Sequence, residues 1–248
     1  MLDLNHRSVN ERMNYLLDEG IKKENSFQPE RTYLGGSRLG HPCERALQFE
    51  YFHAKKDPDK EFKGQTLRIF NVGHSLEDLA VRWIRQAGFD LRNEKPTGNM
   101  HPEQFGFSTA NGRIKGHIDG VFCGGPDCIQ YPALWECKTM QAKKWKECVK
   151  DGVAKAFPIY AAQIAIYQAY MDLTENPAIF TSINKDTEEL YFEAVPFDAA
   201  LAQRISDKGV RILQACDAGN LLPRIANSQD HFECKWCFYT SRCWSLPQ

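Results

Sequence analysis

No run of apolar residues in this 248-residue chain approaches the ~20 that a bilayer-spanning helix requires, so no membrane role is expected. Bulk positive charge is also missing: 31 Lys and Arg stand against 32 Asp and Glu, for a formal net charge of −1. Any contact with nucleic acid must therefore be local. No internal repeat or low-complexity linker divides the chain, which reads as one domain over residues 1–248. The stretch Met1–Arg12 is polar and does not resemble a targeting segment. A regular disulfide framework is absent as well, because the nine cysteines are odd in number and unevenly spaced. Thiols kept free for other purposes point to a reducing compartment, the cytoplasm. With 42% hydrophobic and 25% charged residues, the composition is that of a globular protein with a sizeable core.

The densest chemistry lies between Gly116 and Met140. Gly116-His117-Ile118-Asp119-Gly120-Val121-Phe122 is followed, after a Gly/Pro turn, by Ala133-Leu134-Trp135-Glu136-Cys137-Lys138. Residues two apart on a strand share a face, so Glu136 and Lys138 project together while Trp135 and Cys137 point the other way, into a core. Two such strands side by side bring Asp119 and Glu136 within reach of one hard divalent cation, Mg²⁺ or Mn²⁺, with an ammonium beside it. That set suits hydrolysis of a phosphodiester, in which the metal polarises the phosphate and activates water. Lys138 then positions that water or stabilises developing charge.

Asp119 followed by Glu136-Cys137-Lys138 resembles the PD-(D/E)xK nuclease signature, with its first two letters reduced to Ile118-Asp119. Gln163 and Tyr167, at i and i+4 on one helical face, resemble the QxxxY motif of RecB-type nucleases, and the resemblance implies that the pair faces the DNA path. Val72-Gly73-His74-Ser75-Leu76-Glu77-Asp78 resembles the helix that supplies a metal-binding histidine in the same nucleases. It implies His74 as a nitrogen ligand, with Glu77 on the same helical face and the Cys137 backbone carbonyl as an extra ligand. His117, which shares a strand face with Asp119, is the competing nitrogen ligand. Lys143, Lys144, Lys146, Lys150 and Lys155 follow, meeting only Glu147 and Asp151 between them. They read either as a solvated helix face or as phosphate contacts, with Lys143 and Lys144 nearest the proposed site.

Cys234, Cys237 and Cys243, spaced C-x₂-C-x₅-C, look like three ligands of a metal or cluster site. Ser37-Arg38-Leu39-Gly40-His41-Pro42-Cys43-Glu44-Arg45 resembles the start of iron–sulfur nucleases, here with the proline before the cysteine. That family includes CRISPR-associated RecB-like exonucleases and the AddB nuclease domain. The resemblance implies that Cys43 joins the C-terminal triplet around a structural [4Fe–4S] cluster, stapling the two ends of the chain. A Zn(Cys)₄ site is the alternative. Cys137, Cys148 and Cys216 read as buried and unliganded, and Cys123 and Cys128 as flanking a hairpin loop, with a second small site as the other reading.

The wider pattern predicts a helix opened by a capping box at Ser8-Val9-Asn10-Glu11, a short helix over Cys43–Phe52 and a long one over Thr66–Gln86. Strands are expected at Phe89–Arg92, Gln104–Thr109, Arg113–Phe122 and Ala133–Thr139. Helices follow from about Gln141 and over Pro158–Leu173, then strands at Ala178–Asn184 and Leu190–Val195 and a helix opened by Asp198. This order fits an α/β, restriction-endonuclease-like core, a mixed sheet flanked by helices. The function implied is a Mg²⁺- or Mn²⁺-dependent DNA exonuclease of recombination, end processing, CRISPR spacer acquisition or phage DNA metabolism, with partner proteins of a recombination or CRISPR-adaptation complex. A non-catalytic nucleic-acid-binding module and a zinc-stabilised adaptor are the alternatives.

Overall fold

In the computed structural model of the protein, which describes residues 8–29, 31–58, 60–95 and 103–247, the capping box at Ser8 closes in both directions. Glu11 N donates to Ser8 Oγ at 3.2 Å and Ser8 N to Glu11 Oε2 at 2.8 Å, which satisfies two donors that a helix start leaves free. Helix α1 (Val9–Ser26) buries none of its residues. It lies against α3 (Gly64–Gln86), to which the Arg68–Asp18 ion pair ties it. Of the polar stretch Met1–Arg12, residues 1–7 lie outside those described. No helix among the described residues is long and apolar enough to cross a membrane.

Strands β2 (Asp90–Arg92), β5 (Gly120–Gly124), β6 (Ala133–Met140), β7 (Ala178–Asn184) and β8 (Leu190–Val195) form one sheet in the order β2-β5-β6-β7-β8. Only β6 and β7 run parallel, so the sheet is mixed, as expected. Strand β7 is buried along its whole length, as a central strand covered on both faces must be, whereas the edge strand β8 alternates. The period-two alternation of β6 sorts its side chains between two cores. Trp135 and Cys137 pack with Ala80, Val81 and Ile84 of α3, and the Trp135 indole N–H donates to Thr181 Oγ1 at 2.9 Å. Leu134 and Met140 face the other core. There they meet Ile164 and Ile166 of α6 (Pro158–Tyr170) and Ile205, Ile212 and Leu213 of α7 (Ala199–Asp217). Helix α6 is buried all round from Ala161 to Gln168, so it is an interior helix. Helices α4 (Ala142–Asp151) and α5 (Val153–Ala156) carry the chain from β6 to α6.

A second sheet, in the order β1-β4-β3, joins Leu34–Gly35 (β1), Ile114–His117 (β4) and Gly106–Thr109 (β3). The single strand expected over Arg113–Phe122 is therefore two strands, and this corrects the sequence reading. The chain leaves the small sheet at His117 and enters the large one at Gly120, exchanging its hydrogen-bonding partners β1 and β3 for β2 and β6. Fully buried Ile118 anchors the crossing, its N–H donating to Phe105 O at 3.0 Å. Asp119 stands at the bend between the two sheets. On its inner face the small sheet meets Tyr167 so closely that a Cβ on Gly116 would stand 2.8 Å from the ring and 2.5 Å from Phe107.

Helix α2 (Glu44–Tyr51) and the C-terminal helices α8 (Phe232–Lys235) and α9 (Thr240–Ser245) bring the two ends of the chain together. Fully buried Arg45 donates to Leu222 O and, at 3.3 and 3.4 Å, to Pro247 O. Buried Gln48 is satisfied by the tail backbone on both sides, at 2.6 Å to Asn220 O and 2.9 Å from Leu222 N. Asp57 accepts from Ser241 N at 2.6 Å and Arg242 N at 3.2 Å, capping α9 from a distant part of the sequence.

Candidate active site

Antiparallel pairing of β5 with β6 sets Gly120 opposite Trp135, so the next step along the register sets Asp119 beside Glu136. The Asp119 carboxylate is held by the backbone, Oδ2 accepting from Cys137 N at 2.8 Å. Glu136 is fully buried, and its Oε1 accepts from the Lys138 ammonium and, at 2.6 Å, from Gln163 Nε2. Its other oxygen, Oε2, is buried with no hydrogen-bond partner among the described residues. Lys138 Nζ also donates to the Cys137 carbonyl at 3.2 Å and stands 5.5 Å from the centroid of the Tyr160 ring.

The electrostatics of the cluster are unusual for surface-like residue types. Burial first, then the Asp119 charge, pushes the Glu136 carboxyl up to about 8 against the ammonium of Lys138. Burial and Asp119 likewise push Glu77, on α3, up to about 7. Burial opposes the charge on Lys138, yet Glu136 and Asp119 hold its ammonium above the ordinary lysine value. Asp119 and Glu77 thus act on Glu136 in the middle of β6, and Asp119 on Glu77, with the Lys138 ammonium acting on both raised carboxyls. Among the described residues no three His, Cys, Asp or Glu side chains are drawn together as a closed metal cage. An unpartnered buried carboxylate oxygen on Glu136, and two carboxyls, Glu136 and Glu77, raised by burial and by Asp119, nevertheless make a donor set that fits a hard divalent cation, which takes oxygen ligands and removes the repulsion.

Of the other expected site residues, Gln163 reaches Glu136 directly, but Tyr167 does not face an open path. It is 2% exposed, packs its ring edge-on to Phe107 at 5.5 Å and bonds through its hydroxyl to Ser37. The QxxxY pair points inward because α6 is an interior helix. His74 is exposed on α3, and no hydrogen bond or ion pair among the described residues joins it to the acids. Glu77, one turn further along, is the α3 side chain whose charge acts on Glu136 and is acted on by Asp119. The signal for it was present in the sequence, since Glu77 shares a helical face with His74. His117 is exposed on β4, and the bend at Asp119 removes the common strand face. Lys143 and Lys144 are exposed on α4, directly after β6. Tyr160 was not anticipated; it lies one turn before Gln163 on α6, half-buried under the Lys138 ammonium and against Phe157 at 5.5 Å.

Cys43, Cys234, Cys237 and Cys243 line one cavity, together with Phe49, Arg224 and Trp244. The N-terminal cysteine and the C-terminal triplet are thus neighbours in space. Burial and the neighbouring sulfurs push Cys237 up to about 11, and burial raises Cys43 and Cys234 as well. The sulfurs are approached by donors: Tyr239 N lies 3.4 Å from Cys237 Sγ and Arg45 Nη1 lies 3.7 Å from Cys243 Sγ. The four thiols, with the half-buried Arg224 at the cavity wall, have the chemistry of a thiolate-ligated metal centre, although among the described residues they are not drawn together as a metal-holding group. Cys148 and Cys216 are buried in the main core and Cys137 in the second. Cys123 is exposed on β5 and Cys128 is exposed in the loop between β5 and β6.

No protein-family model matches the chain, and no curated protein matches it in sequence. Solved structures resemble it in shape, among them the following. SSO0001 superposes with a TM-score of 0.51 at 16% identity, over 96% of this chain and 98% of that one. The alkaline exonuclease LHK-Exo of Laribacter hongkongensis superposes with a TM-score of 0.52 at 16% identity, over 79% of this chain and 93% of the exonuclease. At that identity the likeness is one of fold: helices flanking mixed sheets in the arrangement of an exonuclease.

Proposed function

We propose that the protein is a divalent-metal-dependent nuclease that hydrolyses phosphodiester bonds of DNA, a single PD-(D/E)xK domain over 1–248 whose acid cluster is the active site. The observation that carries this reading is Glu136, a fully buried carboxylate with one oxygen unpartnered, pressed against Asp119 and held by Lys138. Asp119, Glu136 and the Cys137 carbonyl would hold Mg²⁺ or Mn²⁺, with Glu77 rather than His74 as the side chain contributed by α3. A bound cation there supplies a Lewis acid for the phosphate and lowers the pKa of water. The chain's own residues do the rest. Gln163 fixes the rotamer of Glu136 from the interior helix. Lys138, charged and braced by Tyr160, sets a positive charge where the phosphorane develops negative charge. Exposed Lys143 and Lys144 at the exit of β6 would meet phosphates of the bound DNA.

The exonuclease fold supports the same reading, as does the order of the motifs. Cys43, Cys234, Cys237 and Cys243 would hold a [4Fe–4S] cluster that, with Arg45, Gln48 and Asp57, joins the terminal regions. A cytoplasmic role in recombination, end processing, CRISPR adaptation or phage DNA metabolism, with the matching partner proteins, goes with this reading. Anaerobically purified protein is to be assayed on 5′- and 3′-labelled single and double strands with Mg²⁺, Mn²⁺ or chelator. Cleavage that needs the cation and vanishes in Asp119→Asn and Glu136→Gln supports the proposal. Cleavage that survives either substitution overturns it.

A further inference from the structure

The outer face of the small sheet carries a cationic cluster that the acid site does not use. Along β4, Ile114 and Gly116 turn inward and are buried, while Lys115 and His117 turn outward. In register beside Lys115 stand Gly35 of β1 and Ser108 of β3, and beside His117 stands Gly106. These neighbours are small, so nothing rises from the strands on either side to cover the two basic residues. Arg31 joins them from the preceding loop. Its guanidinium lies across Gly35, where a Cβ would stand only 2.6 Å from Nη1, and so it occupies the face that Lys115 projects from.

Tyr33 gathers the two cations. The Arg31 guanidinium carbon lies 5.4 Å from its ring centroid and Lys115 Nζ lies 5.2 Å from it. Cation–π contact of this kind aims a long side chain without neutralising it. Among the described residues, neither Arg31 nor Lys115 forms an ion pair, although most of the paired Arg and Lys side chains elsewhere have a carboxylate within about 3 Å. In a chain of net charge −1, two cations aligned on one ring, without an ion-pair partner among the described residues, form a local positive site. The site is also close to the chemistry. Lys115 and Asp119 are four residues apart, and an extended chain of that length spans at most about 14 Å. His117 lies between them on the exposed side.

We propose that Arg31, Tyr33 and Lys115 form a strand-holding subsite that grips the phosphodiester backbone of the bound nucleic acid beside the scissile bond. This rests on the nuclease reading above and adds to it the surface over which the strand leaves the reacting centre. The two cations contact phosphate oxygens, Tyr33 keeps them in place, and Gly106 and Ser108 of β3 leave that side of the floor open to a backbone. The subsite reads no bases, so its contribution is independent of sequence.

The test measures binding of a fluorescent oligodeoxynucleotide in EDTA, where no cleavage intervenes, as a function of salt. Arg31→Ala and Lys115→Ala should each weaken binding roughly fivefold and reduce the log–log salt slope by about 0.7. Tyr33→Phe should match the wild type, and Tyr33→Leu should behave like the loss of one cation. Arg31→Lys and Lys115→Arg, which keep the charge, should bind within about twofold of wild type. In cleavage assays the alanine variants should raise KM and leave kcat unchanged. The Mn²⁺-induced rise in Tm should be that of wild type in all of them. If wild type binds the strand but the alanine variants keep its affinity and salt slope, the subsite is wrong and the nuclease reading stands. Wild type that binds no strand and cleaves none removes both.

Discussion

Replacing Glu136 by Gln changes the charge at the centre of the site with almost no change of shape. The amide oxygen can still accept from Lys138 and Gln163, and the amide nitrogen takes the place of the unpartnered Oε2. In the wild type, burial and Asp119 raise the carboxyl from 4.5 to about 8, so the folded state holds this proton more tightly than the unfolded chain. The stability of the cation-free protein must then fall as pH rises from about 4.5 and level off above about 8. Fully expressed, that displacement corresponds to roughly 5 kcal/mol. Glu77, raised to about 7 by burial and Asp119, adds to the same slope. The Gln variant lacks the Glu136 part, although its Lys138 loses the negative charge of its partner and gives back some of the gain. For a chain of this size each kcal/mol moves Tm by about 2–4 °C. Between pH 6 and pH 9 in chelator, the wild-type Tm should therefore drop by several degrees more than that of Glu136→Gln. At a hundred times Kd, Mn²⁺ should stabilise the wild type by about 2.7 kcal/mol, or roughly 5–10 °C, and the variant scarcely at all. Loss of several kcal/mol of transition-state charge stabilisation should lower kcat/KM by at least about a hundredfold. Calorimetry across pH with and without Mn²⁺, on protein checked for cleavage, reads all three quantities. A flat wild-type Tm in chelator, or an equal Mn²⁺ shift in the variant, would refute the placement of a cation against Glu136.

Lys138→Met should lose most of kcat while keeping the Mn²⁺-induced rise in Tm, because its ammonium acts on developing charge and not on the cation; single-turnover cleavage with parallel thermal scans checks this. Glu77→Gln should raise the Mn²⁺ concentration for half-maximal activity about tenfold, and His74→Ala by less than about twofold. A Mn²⁺ titration that gives the reverse order restores the histidine as the ligand from α3. On the proposed cluster reading, Cys43→Ser should bleach a broad visible absorbance and lower Tm, whereas Cys216→Ser in the main core should leave the colour unchanged. Metal analysis with about four irons and matching sulfide per chain supports the cluster, and one zinc without iron replaces it.

The alternation of Trp135, Glu136, Cys137 and Lys138 was enough to assign faces on β6, because a strand's period is set by its backbone. The capping box at Ser8 was equally legible, its two bonds spanning only three residues. Cys43 and the C-terminal triplet were linked in the sequence only by a family resemblance, and it is the fold that shows them lining a common cavity. Periodicity says which side of an element a residue occupies, but not what lies against that side. For that reason the burial of Tyr167, the reach of Glu77 towards Asp119 and the bracing of Lys138 by Tyr160 were decided by tertiary packing. The break at Ile118-Asp119 belongs to the same class. An unbroken strand-like pattern runs through it, and only the exchange of partners from β1 and β3 to β2 and β6 bends the chain there. Arg45 and Gln48 look like ordinary surface residues of a short helix. They are buried because backbone carbonyls of the tail, more than 170 residues away in sequence, satisfy their hydrogen bonds, a match between groups that no local pattern encodes.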